Sequence, residues 1–126
     1  MLTIRDAQMA ALARDRRERF VRKATAHVHA AFPARFVELG RNGVEASVRA
    51  ALEKCAVYHV TSERDVLRYV NLMYALGFDF DTDTRMPWAA DVLGDPLLEG
   101  NVKLDLLAGR TRRWLDARAN DTKERP

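Results

Sequence analysis

Apolar residues recur at Met9, Leu12, Ala13, Phe20, Ala24, Val28 and Ala31, with most of the neighbouring arginines on the other side. That spacing predicts an amphipathic helix. Thr3 followed by Asp6 opens it, because the hydroxyl accepts from a free backbone N–H while the acid faces the positive helix end. Pro33 ends it by pushing Phe32 out of the helical region. Pro33 can itself begin a short turn over 34–39, closed by Gly40. The chain restarts at Asn42-Gly43, and Val44, Val48, Ala51, Leu52, Cys55 and His59 share the stripe of a second helix.

Val60-Thr61-Ser62 interrupts that stripe, and Ser62 with Asp65 repeats the capping signature. The following helix places Val66, Val70, Met73 and Leu76 inward, with Leu67, Tyr69 and Tyr74 widening its apolar face. A face this broad predicts the central helix, and Gly77 suits its end. Phe and Asp alternate over 78–81, but no second segment exists to pair as a strand, so 78–86 reads as a loop. Pro87 starts a short helix through Val92 and Leu93 to Gly94. Asp95-Pro96 repeats the device, and Gly100 ends that turn. Asn101 is the expected cap of the last helix, whose inner face reads Val102, Leu104, Leu107, Thr111, Trp114 and Leu115. The fold class is all-α: a compact bundle of four to six helices, with a short acidic and aromatic loop between the third main helix and the C-terminal helices. Residues 1–118 read as one helical domain, and 119–126 as a polar tail that frays.

Composition narrows the function classes. The chain has 126 residues, 48% of them hydrophobic, which suits a single buried core. No run reaches the roughly 18–20 apolar residues that cross a bilayer. The opening Met-Leu-Thr-Ile-Arg-Asp lacks the order of a secretory signal. With a single cysteine, Cys55, no internal disulfide forms, and the cytoplasm is the expected compartment. The formal charge of +3 is unevenly spread. Residues 1–35 carry eight basic groups against three acidic, residues 61–105 four against nine, and residues 106–126 six against three. A basic–acidic–basic chain can satisfy itself internally, so the charge does not demand an anionic partner.

Three constellations invite chemistry. Asp79, Asp81 and Asp83 match the first three positions of a helix–loop–helix calcium site, but Thr84 stands where glycine is needed and Ala90 where the bidentate glutamate belongs. Too few oxygens remain to replace the ion's hydration, so the aspartates read as caps and loop acids. His27 and His29 lie on different sides of their helix. His59 has only Cys55 four residues back, which is short of a zinc site. Cys55 on an apolar stripe reads as a small buried hydrophobe. No phosphate loop, nucleophile elbow or zinc-protease motif occurs. The runs Arg14–Arg19 and Arg110–Arg113 can meet phosphates, with Trp114 available to stack on a base. Acids intersperse the first run, however, and the third helix has few donors for base edges. No catalytic residue, cofactor or metal is assigned. A protein-binding surface remains, and the candidate contact residues are Phe78, Asp79, Phe80, Asp81, Asp83, Arg85 and Trp88, an acidic and aromatic set suited to a basic partner.

Several stretches, taken together, carry a resemblance: Thr61-Ser-Glu-Arg-Asp-Val-Leu-Arg-Tyr-Val-Asn-Leu-Met73, Leu76-Gly-Phe-Asp-Phe-Asp81, Met86-Pro-Trp-Ala89 and Leu93-Gly-Asp-Pro96, with Ile4, Arg5, Gln8, Met9, Ala10 and Phe32-Pro33. The chain is similar to small helical proteins encoded beside the spikes, tip proteins and antibacterial effectors of bacterial type VI secretion systems. That resemblance implies non-enzymatic accessory work, as adaptor or chaperone for a secreted effector or spike component. The alternatives are an immunity protein against a cognate toxin, and a small nucleic-acid-binding protein using its arginine-rich helix faces. The family supplies no catalytic residues. The preference for arginine over lysine, 17 against 4, accords with a high-GC bacterial genome.

Overall fold

Capping chemistry sets where the helices begin. In the computed structural model, which describes residues 3–124 and side chains as far as 121, Thr3 and Asp6 form a reciprocal capping box. The Asp6 N–H donates to Thr3 Oγ1 at 3.1 Å, and the Thr3 N–H donates to an Asp6 carboxylate oxygen at 3.3 Å. Helix α1 follows over Ile4–Ala31 and α2 over Pro33–Val57. Gly40 breaks α2 with φ 72° and ψ 166°, a left-handed backbone that glycine adopts without steric penalty. The kink falls where the short turn was expected to close. Helix α3 spans Glu63–Leu76 and is capped by the Ser62 hydroxyl, which accepts from the Asp65 N–H at 3.1 Å. A 3-10 turn, Phe80–Thr82, lies inside the expected loop; α4 (Pro87–Leu93) has proline in its first turn, and α5 runs over Gly100–Glu124. The described residues contain no strand, so the chain is all-α. Met1, Leu2 and the last two residues of the expected tail lie outside the described residues.

The chain divides into two compact units, Met1–Ala50 and Ala51–Pro126, and the division falls within α2. In the first unit Phe20, Val21, Ala24, Val28, Val44 and Val48 are buried. The expected inner positions Met9 and Leu12 are not: they are 61% and 54% exposed, because the buried stripe of α1 begins only at Phe20.

In the second unit α5 lies against α3 and α4, and the 3-10 turn lies against α3 and α4. Val66, Tyr69, Val70, Met73, Leu93, Leu104 and Leu107 are buried there. Each such side chain withdrawn from water contributes on the order of 1.5–3 kcal/mol. His59, expected on the buried stripe of α2, is exposed instead. It follows the end of the helix and turns the chain with φ 59°, so the stripe stops before it. Gly100 then passes close to that corner: a Cβ on it would lie 3.1 Å from the His59 carbonyl oxygen and 3.2 Å from Val60 Cα. The last helix thus begins at Gly100. Glu99, whose carbonyl accepts from the Lys103 N–H at 2.9 Å, precedes it in the cap position, while Asn101 is an exposed residue of the first turn. The helix continues past Arg118, which lies over the Trp114 ring at 4.6 Å.

The inner face of α5 contains a lysine. Lys103 is 2% exposed, whereas its neighbour Val102 is among the exposed apolar residues. Its ammonium donates to the Tyr58 carbonyl at 2.8 Å and to the Leu93 carbonyl at 2.7 Å. Both acceptors lie at helix C-termini, where carbonyls have no partner within the helix and the dipole is negative. One cation therefore closes the ends of α2 and α4. Lys103→Met keeps the stem and strands both carbonyls, so we expect a stability loss of about 3 kcal/mol in urea unfolding. The exposed Lys23→Met should shift stability by less than about 0.5 kcal/mol. Equal effects in the two variants would remove Lys103 from this role.

Candidate functional site

The acidic segment after α3 is held from α2. Lys54 and Tyr58 stand one turn apart at the end of that helix and both reach Asp81. The Lys54 ammonium donates to Asp81 Oδ1 at 2.8 Å, and the Tyr58 hydroxyl donates to Asp81 Oδ2 at 2.6 Å. Lys54 also donates to Asp79 Oδ1 and to the Phe78 carbonyl, each at 3.2 Å. Burial alone would lower the Lys54 pKa, but the hydrogen bonds and charges of Asp81 and Asp79 outweigh it and hold the group above its ordinary value. Burial, with the Asp81 carboxylate beside it, pushes the Tyr58 phenol up to about 12. Asp83 is engaged separately by Arg85, whose guanidinium donates at 2.8 Å and whose backbone N–H donates at 2.8 Å. Those bonds hold the Asp83 carboxyl below the usual range.

The seven candidate contact residues thus separate. Phe80 is 1% exposed and tilts onto Tyr69 at 5.1 Å between ring centres; Asp81 is 3% exposed. Neither is part of a surface, which corrects their placement in a contact patch. Phe78 is half-buried, edge-on to Tyr74, and Trp88 is half-buried. Asp79 and Arg85 are exposed, but each already has an ionic partner. The carboxylates of this segment are not free: Lys54, Tyr58 and Arg85 bond all three, and the two cations among these offset two of the three negative charges. Lys54 and Tyr58 escaped the sequence reading, although a cation and a phenol four apart on a helix were the available signal.

The described residues contain no group of three or more metal-ligating side chains. Burial, and then the nearby Asp65 charge, raises the Cys55 thiol to about 12, so it holds little thiolate at neutral pH. An open cleft of about 540 Å³ lies between the start of α3 and the start of α5, and His59, Ser62, Arg64, Asp65 and Glu99 help line it. Its buried acid, Asp65, accepts from Arg68 at 3.2 Å, and Arg68 also donates to Asp105 at 2.7 Å. Trp114, considered for base stacking, has Arg118 over its ring.

The exposed half of α1 is different. Ile4, Met9 and Leu12 are large apolar side chains left in solvent, and Arg5, Arg14, Arg16, Arg17 and Arg19 surround them. Two of the three acids of this half are occupied: Asp6 completes the capping box, and Glu18 accepts from Arg49 at 2.9 Å. None of the five arginines forms an ion pair among the described residues. The chain matches no protein family, no curated protein and no solved structure in the comparisons made with each.

The Lys54–Tyr58–Asp81 cluster predicts an alkaline limit. Groups with raised pKa values bind protons more tightly in the folded chain, so their contribution is complete below the unfolded pKa and lost as pH rises through the folded one. Thermal stability should begin to fall near pH 9.0, where unfolded Cys55 ionises, and continue falling from 10.0 to about 12 through Tyr58. Tyr58→Phe should flatten the upper part of that decline. An unchanged slope would disconnect Tyr58 from it.

Proposed function

We propose that this chain is a non-enzymatic protein-binding accessory protein, acting in the bacterial cytoplasm as adaptor or chaperone for a secreted effector or spike component of a type VI secretion system. The exposed half of α1 carries the reading: it combines solvent-facing Met9 and Leu12 with unpaired arginines. Apolar side chains grouped with cations on a preformed helix are the ingredients of a recognition surface, and arginine and methionine are favoured at such surfaces. The resemblance to accessory proteins of effector clusters supplies the biological setting. An immunity role is less favoured, because the loop acids suited to filling a toxin's active site are engaged by Lys54, Tyr58 and Arg85.

Co-expression of the chain with each effector and spike protein of its own gene cluster tests this reading. The expected outcome is a complex that survives gel filtration, with the effector's activity retained. Loss of that activity in the complex would replace the adaptor by an immunity protein. Failure to co-elute with every one of them would end the accessory reading.

A further inference from the structure

The unpaired cations of α1 are ordered along the helix. Arg5, Met9, Leu12, Arg16, Arg19 and Lys23 follow one another at alternating steps of four and three residues, and all six are exposed. At about 100° per residue they fall within about 80° of one another, on a stripe about 27 Å long. The buried side chains Phe20, Val21, Ala24, Thr25 and Val28 centre about 130° away. No acid lies on the stripe: Asp6 and Glu18 are engaged elsewhere, and Asp15 falls beside it. Its order is one cation, two apolar side chains, then three cations.

Steps of four and three are the period of a helix–helix seam. A second copy of this chain is a poor occupant, because either parallel or antiparallel pairing sets cations against cations or against the apolar pair, with no carboxylate to meet them. Duplex DNA would satisfy the cations but leave Met9 and Leu12 without a use at the centre of contact. A membrane surface would find only two apolar side chains to bury, short of the continuous apolar face such helices carry. We propose that this stripe binds an acidic amphipathic helix of a partner protein, one that presents two apolar side chains a turn apart, bracketed by carboxylates. The inference rests on the protein-binding reading and names the surface and the chemistry of its partner.

A designed helical peptide with Glu, Leu, Leu, Glu, Glu and Glu at the same spacing serves as probe, with a Lys-for-Glu version as control. The full chain should bind the acidic peptide saturably, with a Kd on the order of 10 μM at low salt, and more weakly as salt rises. Arg16→Glu with Arg19→Glu should weaken binding at least about tenfold and create binding to the lysine peptide, and Met9→Asp should weaken the acidic peptide alone. Because all these positions are exposed, circular dichroism of the variants should match that of the unmodified chain. Equal binding of the two peptides, no transfer of preference on charge reversal, or tighter binding to duplex DNA or anionic vesicles would overturn the proposal. The effector complex separates this failure from failure of the wider reading: a complex that forms unchanged with the doubly reversed variant sinks the stripe and leaves the accessory role standing.

Discussion

A buried lysine organises the second unit. Helices end with carbonyls that no residue of the helix can satisfy, and the ends of α2 and α4 both point theirs at Lys103. An ammonium offers three donors and a charge opposite in sign to both helix ends, so one side chain does what two separate caps would otherwise do. The geometry this imposes is tight. It draws the first turn of α5 beside the His59–Val60 corner, where a side chain at position 100 would crowd the His59 carbonyl and Val60 Cα. Burial of Leu104 and Leu107 on the same face then adds the apolar contribution. A charge without those carbonyls would be untenable at this depth.

A second lysine performs the related task for the segment between α3 and α4. Phe80 is the buried anchor of that segment, but it brings Asp81 in with it, and a buried carboxylate needs partners. Lys54 and Tyr58 supply them, which ties the segment to the end of α2. The consequence for function is a change of address. Acids that look available for recognition serve as internal fastenings, whereas the first half of α1 carries five arginines with no ion pair among the described residues.

Helix existence and most helix starts were legible in the sequence, because they depend on local chemistry: the Thr3–Asp6 box, the Ser62 cap, the prolines at 33 and 87, the break at Gly40. Facing was legible only where the apolar period was clean, as on α3. On α5 the reading took Val102 for an inner residue, yet Val102 lies about 200° from Leu104. Lys103, four residues before Leu107 and eight before Thr111, is in phase with the buried stripe; its charge hid it. On α1 the helical spacing of Met9 and Leu12 was real, but amphipathicity does not say whether the apolar face is covered by the same chain. Phe80 and Asp81 were misplaced for the converse reason: alternation of Phe and Asp shows composition, and only the fold reveals that both are buried and that Lys54 and Tyr58, more than twenty residues earlier, bond Asp81.

The length of exposed helix is itself informative. A helix of this size, isolated in water, would be marginal, because nucleation is costly and few tertiary contacts reward it. Here the first half of α1 extends from a buried second half, Phe20–Val28, and is closed at its start by a capping box, so it needs no nucleus of its own. Alanines at 7, 10, 11 and 13 and the arginines add high intrinsic propensity. A surface built this way is ordered before any partner arrives, and association then loses less conformational entropy than it would with a disordered arm. Solubility alone would be served by cations scattered evenly round the helix with the apolar positions made polar. Retaining Met9 and Leu12 in solvent, in line with four cations and no acid, is a cost that recognition explains and solvation does not.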